Sequence, residues 1–322
     1  MRQVLYFLGA VLMCWATAVG ADKSATAPPA AKGPRPLYDL QFRPAVGLRV
    51  SYESSTDSEI HFRAAANGAN RSAESGGKSH TQVVVTSEEI TELNSDHQPV
   101  ARRVTFGPNC FTASQEDKQP TRKIRLVYAG KTVNFRLNPE TDQIDQDFGV
   151  RPRPEEMRRL RNVMKGTTLL FAGHPVAVGD RWRADEGLRA LANLRESDII
   201  SSIVTLKAIR DGENGAKIAD LGVTSGVITS ERGMHAEISF EGTVSVDVKS
   251  GVVVASDLKG ELNIAGGLGE VTRGRGGPPV AAALSLTGNG QIEMHVRGRI
   301  LPPASATQPA GNSNIATTDG GH

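Results

Sequence analysis

Between His235 and Ile300 the chain alternates apolar and polar residues with few slips. The even positions carry Ala236, Ile238, Phe240, Val244, Val246 and Val248, then Val252, Val254, Leu258, Leu262 and Ile264. After a glycine-rich break the same parity resumes at Leu284, Leu286, Ile292, Met294, Val296 and Ile300. The odd positions are His235, Glu237, Glu241, Asp247, Asp257, Lys259, Glu261, Gln291, Glu293, His295, Arg297 and Arg299. Successive side chains on a strand point to opposite faces, so period two predicts long antiparallel strands with one dry and one wet face. Each large apolar side chain buried contributes about 1.5–3 kcal/mol. The dry face therefore needs a cover: helices of the same chain, a partner or a ligand. Small residues at Gly242, Ser256 and Gly260 thin it locally. A groove on this face would be lined by Phe240, Val244, Val246, Leu258, Leu262, Leu286, Ile292 and Met294.

The first residues have the layout of a secretory signal. Arg2 supplies the positive start, Val4 to Val19 an apolar stretch, and Val19-Gly20-Ala21 a small-residue site for cleavage near Ala21. Cys14 lies inside this segment, without the small preceding residue of a lipoprotein box. In the mature chain Cys110 is then alone, so export adds no intramolecular disulfide. Residues 22–36 and 302–322 hold too little apolar material to repay ordering and read as disordered tails. The folded part is 37–301, as one β domain or two similar halves at about 37–150 and 174–301. A formal net charge of +2 gives no sign of a nucleic-acid partner.

Earlier in the chain, the alternations at 48–53 and 59–64 read as a hairpin, followed by a polar loop from Asn67 to Lys78. His80–Leu93 reads as a long strand pairing with Val100–Phe106 across Asn94–Pro99. Ile124–Tyr128 and Thr132–Leu137 flank a short turn at Ala129–Lys131, and Ile199–Ile209 leads through 211–215 into the alternating block. Two helices are predicted to pack on the sheet. One spans 154–165, opening with Pro154, Glu155 and Glu156 and ending in basic residues. The other spans 185–196, with Asp185 as N-cap. The fold expected is mainly β (α+β), a long-stranded antiparallel meander or half-barrel with two helices on one face.

One local signature stands out: Pro175-Val176-Ala177-Val178-Gly179-Asp180-Arg181-Trp182. Proline starts an extended segment, Gly-Asp turns it, and Trp182 enters the core as a strand begins. The segment resembles the P-V-x-V-G-D-x-W turn of uncharacterised secreted proteins of Gram-negative bacteria, which implies an antiparallel β meander. More loosely, the layout is similar to the periplasmic lipoprotein-carrier half-barrels. That resemblance implies a sheet cupping an acyl chain.

Catalytic motifs are sparse. Ser75-Gly76-Gly77-Lys78 spells S-x-x-K within a polar loop rather than at a helix start. Cys110 has no histidine signature beside it. The histidines are scattered without metal-ligand spacing, and Asp142, Asp145 and Asp147 lack the glycine and terminal glutamate of a calcium loop. Arg273-Gly274-Arg275-Gly276-Gly277 reads as a hairpin loop, and the basic residues of 151–165 as a solvated helix face. The sequence thus points to an exported, periplasmic or extracellular protein without catalytic residues, metal or cofactor. A structural or protein-interaction module in the envelope is the first reading and a lipid or lipoprotein carrier the second. A hydrolase is the third, and would need His235, His295 and an acid to converge.

Overall fold

The computed structural model describes residues 35–66, 74–116, 119–138, 140–141, 143–149, 170–185, 198–231, 233–268 and 284–302. Fifteen strands are described: β1 Leu37–Tyr38, β2 Arg49–Ala66, β3 Glu74–Leu93, β4 Pro99–Phe106, β5 Phe111–Glu116, β6 Arg122–Arg125, β7 Thr132–Asn138, β8 Gln143–Gln146, β9 Val176–Ala177, β10 Arg181–Arg183, β11 Ile199–Asp211, β12 Lys217–Glu231, β13 Met234–Asp247, β14 Val253–Leu268 and β15 Leu284–Leu301. Thirteen of them form one open antiparallel sheet in the order β10-β11-β12-β13-β14-β15-β2-β3-β4-β7-β8, with β5 and β6 hung on the side of β3. β1 and β9 make a separate two-stranded ribbon. Both predicted helices, 154–165 and 185–196, lie outside the described residues apart from Asp185. So does the Arg-Gly tract at 273–277, between the paired ends Leu268 and Leu284.

The alternating block forms β13, β14 and β15, and its parity holds. Ile238 faces Leu262, Leu258 faces Met294, and each pair points to the buried side. The thinning expected at the small residues is filled from across the sheet. Phe240 pairs with Gly260, and a Cβ at Gly260 would lie 2.0 Å from its ring. Tyr52 stands likewise against Gly298, and Phe62 against Gly288. Glycine leaves the room that a broad ring occupies, so strands of uneven side-chain volume still pack densely.

The pattern fails in three places. A bulge between Ser245 and Val246 shifts the parity, so Val253 is fully buried while Val254 is half-buried. Asp247, expected on the wet face, is buried because its Oδ1 accepts from the Ser250 backbone N–H (2.8 Å) and hydroxyl (2.7 Å) in the β13–β14 turn. Ile300 is 37% exposed near the end of β15. The same turn needs Gly251, whose φ is +69° and whose Cβ position lies 2.2 Å from the Gln41 carbonyl oxygen. Only glycine combines that backbone with so close an approach.

Several sequence expectations are corrected. The hairpin at 48–64 is the single 18-residue strand β2, because Ser54-Ser55-Thr56-Asp57-Ser58 runs straight on instead of turning. The polar loop expected up to Lys78 is already strand from Glu74, paired to β2. Of the segments flanking the turn before Lys131, the first is strand only to Arg125: β6 pairs β5, and β7 pairs β4. The acidic turn at 142–147 contains β8, hairpin partner of β7. The 80–93 strand and its partner at 100–106 pair as expected, within β3 and β4.

Candidate functional site

Directly paired residues of neighbouring strands point to the same face, so one face can be followed across the sheet. From β11 to β15 it is mostly hydrocarbon, interrupted by Ser256 and by the buried Ser202–Ser225 hydroxyl pair (2.6 Å). All eight residues of the predicted groove sit here in one buried cluster, from 0% exposure at Val244 and Leu262 to 8% at Met294. Leu40, Leu170, Val176 and Trp182 join the same cluster, with Tyr38 and Phe171 packed on it. Segments 37–43 and 170–182 therefore supply part of the cover that the sequence demanded.

Over β2 and β3 the same face turns polar. It carries Ser54, Thr56, Ser58, His80, Gln82 and Thr86, of which Ser58, Gln82 and Thr86 are buried. Ser54 Oγ donates to the Val84 carbonyl and Ser58 Oγ to that of His80. Beside them Arg102 Nη1 lies 3.3 Å from Glu88 Oε2, in a pair whose side chains are 9% and 11% exposed. Burial, with the Glu88 charge second, pushes the Tyr52 phenol above its ordinary pKa, against a smaller opposing effect of Arg102. Beyond this band the face is apolar again: Val104, Phe106, Val133 and Phe135 form a second cluster with Cys110, Tyr128, Ala129 and Ile144. The polar band was missed in the sequence because serine and threonine at period two look like a turn rather than a buried strand.

The signature turn is explained letter by letter. Val176 and Ala177 pair with β1. Gly179 takes φ +95°, and its N–H donates to the Leu206 carbonyl at 2.7 Å. Asp180 Oδ2 accepts from the Ala177 N–H at 2.8 Å, closing the turn, and Arg35 pairs with its other oxygen. Trp182 is buried, and its indole N–H donates to the Leu170 carbonyl at 2.9 Å. Asp185, the predicted N-cap, accepts from the Ser202 N–H and from Arg183.

The residues considered for chemistry do not converge. His235 contacts Ser230 and stands opposite Ala265, whereas His295 contacts Asp257 at 2.8 Å. Eight positions along β14 part them, about 26 Å at strand rise. Cys110 is fully buried, its Sγ within 3.3 Å of both the N and O of Val85. Lys78 pairs with Glu116, and Asp147 accepts from the Asn134 backbone and side chain, which together hold its carboxyl below the usual range. Among the described residues no three histidine, cysteine or acidic side chains are grouped to hold a metal ion.

The opposite face of β14, β15 and β2 is wet. A hollow of about 370 Å³ is lined by Glu59, His61, Glu261, Asn263, Asn289 and Gln291. A neighbouring one of about 480 Å³ shares Glu59 and His61 and extends over Gly77, Ser79 and Gln115.

Together these features define an antiparallel β protein with an open sheet, one buried face and one polar face. No known protein family and no curated protein matches the chain. Among solved structures, one described for lipid–protein interactions in lipovitellin aligns over 83% of this chain and 26% of its own, at 8% identity and a TM-score of 0.36. This chain thus spans about a quarter of that lipovitellin chain. An outer membrane channel from Pseudomonas putida F1 aligns over 81% of this chain and 98% of its own, at 10% identity and a TM-score of 0.21. DynF from the dynemicin biosynthesis pathway of Micromonospora chersina aligns over 85% and 94%, at 11% identity and a TM-score of 0.14. Likeness at these scores carries no functional argument.

Proposed function

We propose that the chain is an exported, non-enzymatic protein of the bacterial envelope, periplasmic or extracellular, working as a structural or protein-interaction module. In this reading residues 1–21 are the signal, cleaved near Ala21. The chain stands with the secreted proteins that share its P-V-x-V-G-D-x-W turn, and helices at 154–165 and 185–196 complete the cover of the apolar face. One observation carries the proposal. Every side chain of the would-be groove is at most 8% exposed and packed in a single cluster. Such a face serves as core, and function falls to the surfaces.

A carrier reading draws on a different observation, the passage of the inner face from hydrocarbon over β13–β15 to hydroxyl, amide and charge over β2–β4. An amphiphile has the same division. One experiment separates the two readings. The mature protein is purified, extracted with organic solvent for mass spectrometry, and titrated with a fluorescent fatty acid. The module reading expects an empty extract and no saturable uptake. A stoichiometric lipid, or uptake weakened by Leu262→Trp, overturns it in favour of the carrier.

A further inference from the structure

We propose that the wet face of β13, β14, β15 and β2 is a docking surface for an extended, lysine- or arginine-rich segment of a partner protein. The proposal rests on the interaction-module reading and names the partner's chemistry. Three consecutive registers cross these strands: Glu241–Lys259–Glu293–Asp57, Ser239–Glu261–Gln291–Glu59, and Glu237–Asn263–Asn289–His61. They hold six carboxylates and one ammonium, and that ammonium is engaged with Glu293 at 2.7 Å. All six carboxylate side chains are on exposed residues. The whole chain is formally +2, so this is local segregation of charge rather than general acidity.

A sheet ordinarily relieves such crowding with opposite charges across strands. This one does so at Arg103–Glu89 (3.2 Å), Lys78–Glu116 (2.5 Å) and Arg210–Asp220 (2.9 Å), and on the patch at Lys259–Glu293 (2.7 Å), where His61 also lies 3.3 Å from Glu59. On the four-strand patch Glu293 still faces Asp57 and four more carboxylates stand within the three registers, an excess that favours a cationic occupant. The patch is also hollowed: the first hollow opens on it, and the second shares Glu59 and His61 but runs on to Phe62 and to Lys78, whose ammonium is engaged by Glu116 at 2.5 Å. Asn263, Asn289 and Gln291 line the first of them with amides that both donate and accept, as a peptide backbone requires. An extended segment with a basic residue at every second position repeats at about 6.6–6.8 Å, the spacing of Asp57 and Glu59 along β2.

The test titrates the mature chain into a fluorescein-labelled peptide alternating lysine and serine, with its glutamate–serine counterpart as control, at low and physiological ionic strength. Binding of the basic peptide alone is expected, weakening with salt. Glu59→Gln/Glu261→Gln should lower the affinity about tenfold, and Glu237→Gln/Glu241→Gln on β13 similarly, since each removes two charges. Asp211→Asn/Glu213→Gln, on the remote β11–β12 turn, should change it less than about twofold. Removing like charges should leave the melting temperature equal or higher, which confirms that each variant is folded. Three results overturn the proposal: no preference for the basic peptide, equal losses in the remote variant, or displacement by spermine at equal charge concentration. None of them touches the fatty-acid experiment, so the two readings fail separately.

Discussion

The two buried clusters of this sheet are built by different means. The larger one lies mainly on the long strands β11 to β15, with Ile60 of β2 and Leu40, Leu170, Val176 and Trp182 added, and among its buried members only Phe240 and Trp182 are aromatic. The smaller one lies over β4 and β7 and is an aromatic box. Phe106 stacks on Tyr128 at 5.1 Å, and Phe135 stands edge-on to both at 6.5 and 6.0 Å. Cys110 lies at the base of this cluster, bonded to the Val85 backbone. Between them runs the hydroxyl and amide band of β2 and β3, which gives neither cluster much hydrocarbon contact with the other. Ile60 of β2 still belongs to the larger cluster and Val84 of β3 packs on the smaller, so the band narrows the junction without emptying it of hydrocarbon. The larger cluster is thus held by the sum of many pairs, and the smaller by a few rings whose positions depend on turns.

The largest expected effect comes from breaking the box. Phe135→Ala should cost about 3–5 kcal/mol, and Leu262→Ala in the aliphatic cluster about 2–5 kcal/mol. The informative measurement is where each loss is felt. In a variant beginning at Asp22 and carrying Tyr38→Phe and Tyr52→Phe, Trp182 is the one tryptophan and its fluorescence reports the larger cluster, while tyrosine near-ultraviolet dichroism reports Tyr128. Phe135→Ala should bring the tyrosine transition forward in denaturant while the Trp182 transition stays nearly in place. If both signals shift together, the clusters form one cooperative unit and the contrast drawn between them fails.

Next in size is the seam itself. Arg102→Met leaves the Glu88 carboxylate buried without its cation and should cost about 3–5 kcal/mol. Adding Glu88→Gln removes the orphan charge, so most of that loss should return in urea unfolding of the double variant. A double variant as unstable as the single one would mean that Arg102 matters through its packing.

How much of this was legible beforehand depends on which face each residue serves. Ile238, Leu258, Leu262 and Ile292 announce themselves because hydrocarbon inside and charge outside alternate at period two. Ser54, Thr56 and Ser58 obey the same geometry, but with Ser55 and Asp57 between them both faces of the segment are small and polar. Local chemistry then reads as a turn, and the strand is revealed only by its neighbours β15 and β3. Asp247 shows the converse, since its burial comes from a turn that closes back on its carboxylate. The eight groove candidates could be picked out as a set, but not their burial. That depends on Leu40, Leu170 and Val176, which arrive from far away in the chain. The acidic patch was spelled out among the odd positions, yet its crowding required the register. Glu59 and Glu261 fall on one register, on either side of Gln291, only once β2, β15 and β14 are aligned.

A smaller effect separates packing from bonding in the aromatic box. Cys110→Ala removes the sulfur held between the N and O of Val85 and should cost about 1–3 kcal/mol. Cys110→Ser keeps both hydrogen-bonding roles but is smaller and more polar. If it matches the wild type in thermal unfolding, bonding to Val85 is what counts; if it behaves like Cys110→Ala, the volume of the sulfur does.

The smallest effect lies on the wet face and inverts the lesson of the Arg102–Glu88 seam. Asp257 accepts from Arg297 at 3.0 and 3.1 Å and contacts His295 at 2.8 Å, but its side chain is half-exposed. The Arg297 hydrogen bonds, then that of His295, hold its carboxyl below the usual carboxylate range. A folded-state pKa below the unfolded one means that the contribution is complete above the unfolded value. It is then lost as pH falls through the folded value, in acid. Asp257→Asn should therefore lower the melting temperature slightly near neutrality, and the gap should close as both proteins are taken into acid. Added salt should shrink the same gap at neutral pH, because solvent reaches this cluster. At the seam, the cost of Arg102→Met should hardly respond to salt. A gap at Asp257 that persists in acid, or a seam as salt-sensitive as the surface, would show that burial is not what distinguishes the two sets of charges.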